Sequence, residues 1–108
     1  MKTIYIAGKV TGEPIEEVKV KFGAAQRLLI DKGFNPINPL ELVNDLEATW
    51  EYAMKKCIAA LVEVDGVYLL PCYTKSPGAK MEIEIADKLN IPVCQNVDVL
   101  IQIVGLLK

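Results

Sequence analysis

The sequence predicts an α/β fold: a parallel sheet of four to five strands with helices packed on both faces. Three observations lead there. Strand-like and helix-like segments alternate along the whole of the 108 residues. Residues 14–32 place Ile15, Val18, Phe22, Ala25 and Leu29 at three- and four-residue spacing, the period of an amphipathic helix. Residues 65–71, DGVYLLP, form a nearly continuous apolar run, as expected of a central strand covered on both faces.

The elements follow in order. Residues 3–7, TIYIA, are β-branched and aromatic and end at Gly8, with Gly12 close behind, so a strand should pass through a glycine-bounded loop into the first helix. Pro14 suits that helix's first turn and Gly33 its stop. FNPINP, residues 34–39, predicts a short strand near a sheet edge, because Pro36 cannot donate to a ladder. Residues 40–47 predict a loop or a loose helical turn, and residues 48–64 a second helix with Trp50, Met54, Cys57 or Ile58, and Leu61 on one face. After the central strand, residues 72–75 predict a loop, and Ser76-Pro77 opens a third long helix with a serine cap and proline in the first turn. Residues 91–94 give a last strand and residues 98–107 a last helix.

Length and composition bound the function. A chain of 108 residues is one domain by size, spanning 1–108, with 52% hydrophobic and 24% charged residues. A net charge of −2 without a basic stripe argues against polymeric nucleic acid as a partner, while small anions remain possible ligands. The absence of histidine excludes Ser-His-Asp and Cys-His catalysis and histidine metal sites, leaving carboxylates, tyrosine, lysine and cysteine for acid–base work. Cys57, Cys72 and Cys94 show no C-x-x-C spacing, which argues against a disulfide framework or zinc site and fits a reducing, cytoplasmic setting. The start MKTIYIAG lacks the apolar run of a signal peptide, and no stretch approaches a membrane span.

In sheets of this kind ligands bind beyond the carboxyl ends of the strands, near the point where strand order reverses. The loops after the first strand and after the central strand both open at that edge. Two turns into the helix that follows the second loop lie two glutamates in different surroundings. Glu82 shares a face with Ile85, Ala86 and Leu89, the apolar stripe, whereas Glu84 sits roughly 200° away among Lys80 and Lys88, on a solvated and salt-bridged face. A carboxylate on the protein-facing side needs a partner or a purpose. Structural pairing of Glu82 with Lys9 or a backbone amide is one reading, and a site is the other. Taken alone, Gly8 and Gly12 also describe a plain βα turn, Ser76-Pro77-Gly78 an ordinary cap, and Tyr5 and Trp50 packed aromatics.

Three segments in register, TIYIAG at 3–8, WEYAM at 50–54 leading to DGV at 65–67, and SPGAKME at 76–82, resemble the nucleoside 2-deoxyribosyltransferase superfamily, including its nucleotide N-hydrolase branch and a set of short uncharacterised relatives. The resemblance covers essentially the whole chain and implies a flavodoxin-like three-layer sandwich. It implies N-glycosidic bond cleavage or deoxyribosyl transfer on a deoxynucleoside 5′-monophosphate or nucleoside, with Glu82 as nucleophile at the anomeric carbon and Tyr5 holding it in place. Such a reaction passes through an oxocarbenium-like state that a carboxylate stabilises or traps covalently. The resemblance further assigns Gly8, Thr11 and Gly12 to the loop around sugar or phosphate; Lys9 departs from it, since the short relatives often carry proline there, and an ammonium beside such a loop would help bind an anion. It assigns Ser76 and Gly78 to the helix start that contacts phosphate. No cofactor or metal is implied. Relatives are dimers or larger with a neighbour often completing the site, which implies a homo-oligomer, and the apolar residues 97–107 are a candidate contact. Cys57 stands where the family usually has an aspartate, and a thiol is a poor substitute for a carboxylate. The alternative to an enzyme is therefore a catalytically idle nucleotide-binding or interaction module with the same fold.

Overall fold

The computed structural model describes residues 1–45 and 47–105. Its elements are β1 (Thr3–Ala7), α1 (Ile15–Asp31), β2 (Asn35–Ile37), α2 (Pro39–Leu42), α3 (Trp50–Leu61), β3 (Gly66–Leu69), a 3-10 turn (Pro71–Lys75), α4 (Pro77–Lys88), β4 (Val93–Cys94) and α5 (Val97–Gly105). The four strands form one sheet in the order β2-β1-β3-β4, parallel at every pairing. That is the flavodoxin-like order, and its reversal lies between β1 and β3. The chain leaves β1 toward one edge and later returns across it toward the other, so right-handed crossovers put α1 and α5 on one face and α3 and α4 on the opposite one.

The two-residue period of β1 divides the core. Ile4 and Ile6 point into the layer containing Val18, Phe22 and Leu29 of α1 and Leu100 and Val104 of α5. Tyr5 and Ala7 point into the other layer, with Cys57 and Leu61 of α3 and Ala86 of α4. Tyr5 is completely buried, which brings its hydroxyl under the α3–α4 layer at the centre of the sheet.

Several boundaries are set by caps that periodicity does not read. Asn38 Oδ1 accepts from the Leu40 N–H at 3.0 Å and turns part of the expected loop into α2. Thr49 Oγ1 accepts from the Tyr52 N–H at 3.1 Å, so α3 starts at Trp50 and not at residue 48. Asp65 lies just before β3, and its Oδ2 accepts the Thr3 N–H at 2.8 Å. Pro71 closes the strand into the 3-10 turn where a loop is expected. Asn96 Oδ1 takes the Asp98 and Val99 N–H groups at 2.8 and 3.2 Å to open α5, and the last two positions expected in that helix lie outside the described residues.

Two expectations for α4 are corrected. Leu89 is exposed and not part of the buried stripe, because the helix ends at Lys88 and Asn90, at φ 59°, turns the chain away. Glu84 is exposed as expected, but neither Lys80 nor Lys88 comes within ion-pair distance of it. Among the described residues the ion pairs are Lys9–Glu13 at 3.9 Å and Lys19–Glu16 at 3.7 Å.

Gly8 ends β1 where the backbone passes the side chain that follows β3. A Cβ built on it would stand 2.9 Å from Leu70 Cδ1 and 3.0 Å from Leu70 Cβ. Gly8→Ala is expected to destabilise by about 1–3 kcal/mol through overpacking, seen as a lower denaturant midpoint at unchanged slope. A midpoint equal to the parent's would show that Leu70 moves aside freely.

Candidate functional site

Between the carboxyl edge of β1 and the helices α2, α3 and α4 lies a cavity of about 340 Å³, within the range of small-molecule sites. Its floor is Tyr5 and Glu82. Helix α4 buries Gly78, Ala79 and Ala86, small residues, together with Glu82. That packing leaves the glutamate 6% exposed and directs its carboxylate at the β1 tyrosine. The Tyr5 hydroxyl donates to Glu82 Oε2 at 2.5 Å, a short charge-assisted bond.

Burial dominates the electrostatics of this floor. Desolvation raises the Glu82 carboxyl to about 7, against the lowering effect of the Tyr5 hydrogen bond. Burial, and then the neighbouring Glu82 charge, push the Tyr5 phenol well above its ordinary value, so Tyr5 remains a donor at any physiological pH. Cys57, on α3 beside them, is raised by burial and by Glu82 while the Tyr5 hydroxyl acts in the opposite sense, and its thiol stays protonated. A carboxylate poised near neutrality beside two groups that hold their protons is a competent nucleophile or charge stabiliser.

Glycine 78 is explained by the neighbouring helix. A Cβ there would meet Met54 Sδ at 3.1 Å and Trp50 Nε1 at 3.5 Å, so the absence of a side chain at 78 lets α3 pack closely onto the first turn of α4. Ser76 is buried, and its Oγ accepts the Ala79 N–H at 3.1 Å.

Of the residues singled out in the sequence, Tyr5, Gly8, Thr11, Ser76, Gly78 and Glu82 all line the cavity. Lys9 and Gly12 do not. Lys9 Nζ lies 3.9 Å from Glu13, and its backbone N–H donates to Cys72 Sγ at 3.3 Å, tying the β1 loop to the 3-10 turn. The ammonium thus lies by Glu13 and not by Glu82, whose side-chain partner is Tyr5. Gly12 serves the loop with a φ of +84°. Among the described residues no lysine or arginine lines the cavity. Nor does any group of three or more acidic or cysteine side chains among them have a metal-holding arrangement.

The rest of the cavity was marked by the sequence only in part, with Trp50 and Met54 read as a helix face and within WEYAM, and Asp45 not singled out at all. Asp45, from the α2–α3 connection, and Trp50 and Met54, from the start of α3, line it. Trp50 is 41% exposed, so it is a wall of the cavity and not a packed core aromatic. An aspartate in a polar loop carries no periodic signal. Trp50 and Met54 stood in the helix-face pattern and in the WEYAM segment, with no sign there that they would face a cavity.

No curated protein matches the sequence. The fold is similar to the solved structure of a 2-deoxyribosyltransferase from the psychrotolerant bacterium Bacillus psychrosaccharolyticus, described as a biocatalyst for the synthesis of antiviral and antitumoral nucleosides. The TM-score is 0.65 at 22% identity, over 84% of this chain and 69% of that one. No helix among the described residues is long and apolar enough to cross a membrane. A family described as a domain of unknown function, DUF4406, matches residues 2–95, and the chain belongs to it.

Proposed function

We propose that the protein cleaves the N-glycosidic bond of a deoxynucleoside, or of its 5′-monophosphate, and passes the deoxyribosyl group to water or to a second base. The observation that carries this reading is the buried Glu82 carboxylate, held by Tyr5 on the floor of a largely apolar cavity at the switch point of the sheet. Ionised Glu82 attacks C1′ or stabilises the positive charge that develops there, and the base departs toward the α2–α3 wall. Tyr5 keeps the carboxylate aimed without competing for the anomeric carbon. The likeness to the Bacillus enzyme supports the reading at the level of the fold.

Ser76 and the first turn of α4 favour an anionic 5′ group, while a wall with no lysine or arginine favours a neutral nucleoside. A panel of deoxynucleosides and their 5′-monophosphates, followed by chromatography for released base, tests the proposal and separates the two substrates. Base release from at least one of them, with an added second base changing the product, is the expected result. No release from any would remove the enzyme reading.

Cys57 favours a second reading, a module that binds nucleosides without cleaving them. Its protonated, desolvated thiol supplies no charge where the resemblance calls for a carboxylate. Binding in the same panel, without release of base, would select it.

A further inference from the structure

Two carboxylates line the cavity, and the reaction proposed above uses only one of them. Glu82 lies on the floor. Asp45 lies on the α2–α3 connection, exposed at the cavity, and its Oδ1 accepts the Glu47 N–H at 2.9 Å. Its own carbonyl takes the Ala48 N–H at 3.2 Å, closing the turn around it. No cation among the described residues is within ion-pair distance of Asp45, so Oδ2 has neither hydrogen-bond nor ionic partner there. Trp50 and Met54 line the same cavity with an aromatic ring and a polarisable thioether.

An aromatic side chain and a carboxylate acceptor lining one cavity suit a heteroaromatic ring whose edge carries an N–H donor. An ionised carboxylate accepts hydrogen bonds and cannot donate them. It pairs with the exocyclic amine of adenine or cytosine, whereas an oxo group at the same place sets lone pairs against its charge. The ring face would meanwhile lie against Trp50, as aromatic side chains hold unstacked bases.

We propose that Asp45 is the residue that selects the base, accepting a hydrogen bond from an exocyclic amine and so favouring amino-bearing over oxo-bearing bases. This rests on the reading of the cavity as a nucleoside site, but it does not require turnover. It assigns the α2–α3 connection to specificity and the β1–α4 floor to chemistry.

Free bases test it, since they present the same edge and have no glycosidic bond to cleave. Adenine, unsubstituted purine and hypoxanthine would be titrated onto the parent, Asp45→Ala and Asp45→Asn, with thermal midpoints confirming that each variant is folded. The expected result is adenine binding about tenfold more tightly than purine or hypoxanthine to the parent. Asp45→Ala should bring the three together, and Asp45→Asn, whose amide both donates and accepts, should recover hypoxanthine relative to adenine. The same preference in parent and Asp45→Ala, a preference of the parent for hypoxanthine, or no binding of any base would each overturn the assignment. Base selection that depends on Asp45, in a protein that releases no base from any nucleoside, would retain this inference while rejecting the catalytic one.

Discussion

Replacing Glu82 by glutamine is expected to abolish base release and, at the same time, to stabilise the protein above neutral pH. The parent carboxyl is raised to about 7 in the folded chain by burial, while in the unfolded chain it returns to the ordinary carboxylate range near 4.3. Below that range both states hold the proton and Glu82 contributes nothing to pH dependence. As pH rises toward 7 the unfolded state releases the proton and the folded state retains it, so stability falls. Above 7 the full penalty, about 3 kcal/mol, is present. Glutamine has the same shape and no charge, and its amide oxygen still accepts from Tyr5. The two proteins should therefore unfold at similar midpoints near pH 4, and the variant should unfold at a higher midpoint at pH 8. Parallel stability profiles across that range would show that the carboxyl titrates normally. Loss of the nucleophile should lower kcat/KM by at least about 10³-fold, and the parent's activity should rise through an ionisation near 7. Base release by the glutamine variant at the parent's rate would assign the chemistry to another group. This pairing of lost activity with gained stability is what a functional carriage of buried charge predicts, since a purely structural carboxylate would destabilise when removed.

Tyr5→Phe is expected to move that ionisation. The phenylalanine ring fills the same fully buried space, so packing changes little, but Glu82 loses the 2.5 Å hydrogen bond that favours its ionised form. The hydrogen bond lowers the carboxyl against the larger effect of burial, so removing it lets the carboxyl rise further. The ascending limb of kcat/KM should shift upward by about one to two pH units, as expected for a charge-assisted hydrogen bond. Activity at pH 7 would fall by about five- to fiftyfold and recover in alkaline buffer, and such recovery distinguishes a positioning residue from a merely structural one. A uniform loss at every pH, with the limb still near 7, would mean that Tyr5 does not govern the ionisation of Glu82.

The four strands, the alternation with helices and the placement of Glu82 were legible from one-dimensional patterns, because each rests on a period. Alternation in TIYIA puts Tyr5 and Ala7 on one face whatever follows, and helical phase puts Glu82 with Ala86 and opposite Glu84. What has no period was not legible. Asn38, Thr49 and Asn96 moved helix boundaries through single side-chain bonds. Leu89 fell outside the stripe because the helix ended one residue too soon for it.

The site divides in the same way. Tyr5, Gly8, Thr11, Ser76, Gly78 and Glu82 stand on β1, in the loop that follows it and on the start and buried face of α4, which topology brings to one edge, so local sequence together with a parallel sheet was sufficient to gather them. By itself the sequence determined the sheet, the two faces of β1 and the two environments of the glutamates, since side-chain direction in regular structure follows from position along the chain. Only the tertiary structure decided that Lys9 turns to Glu13, that Trp50 forms a wall and that Asp45 stands in that wall. Those outcomes depend on how an irregular loop and a helix start pack against distant elements, and no spacing within a segment encodes a contact between segments.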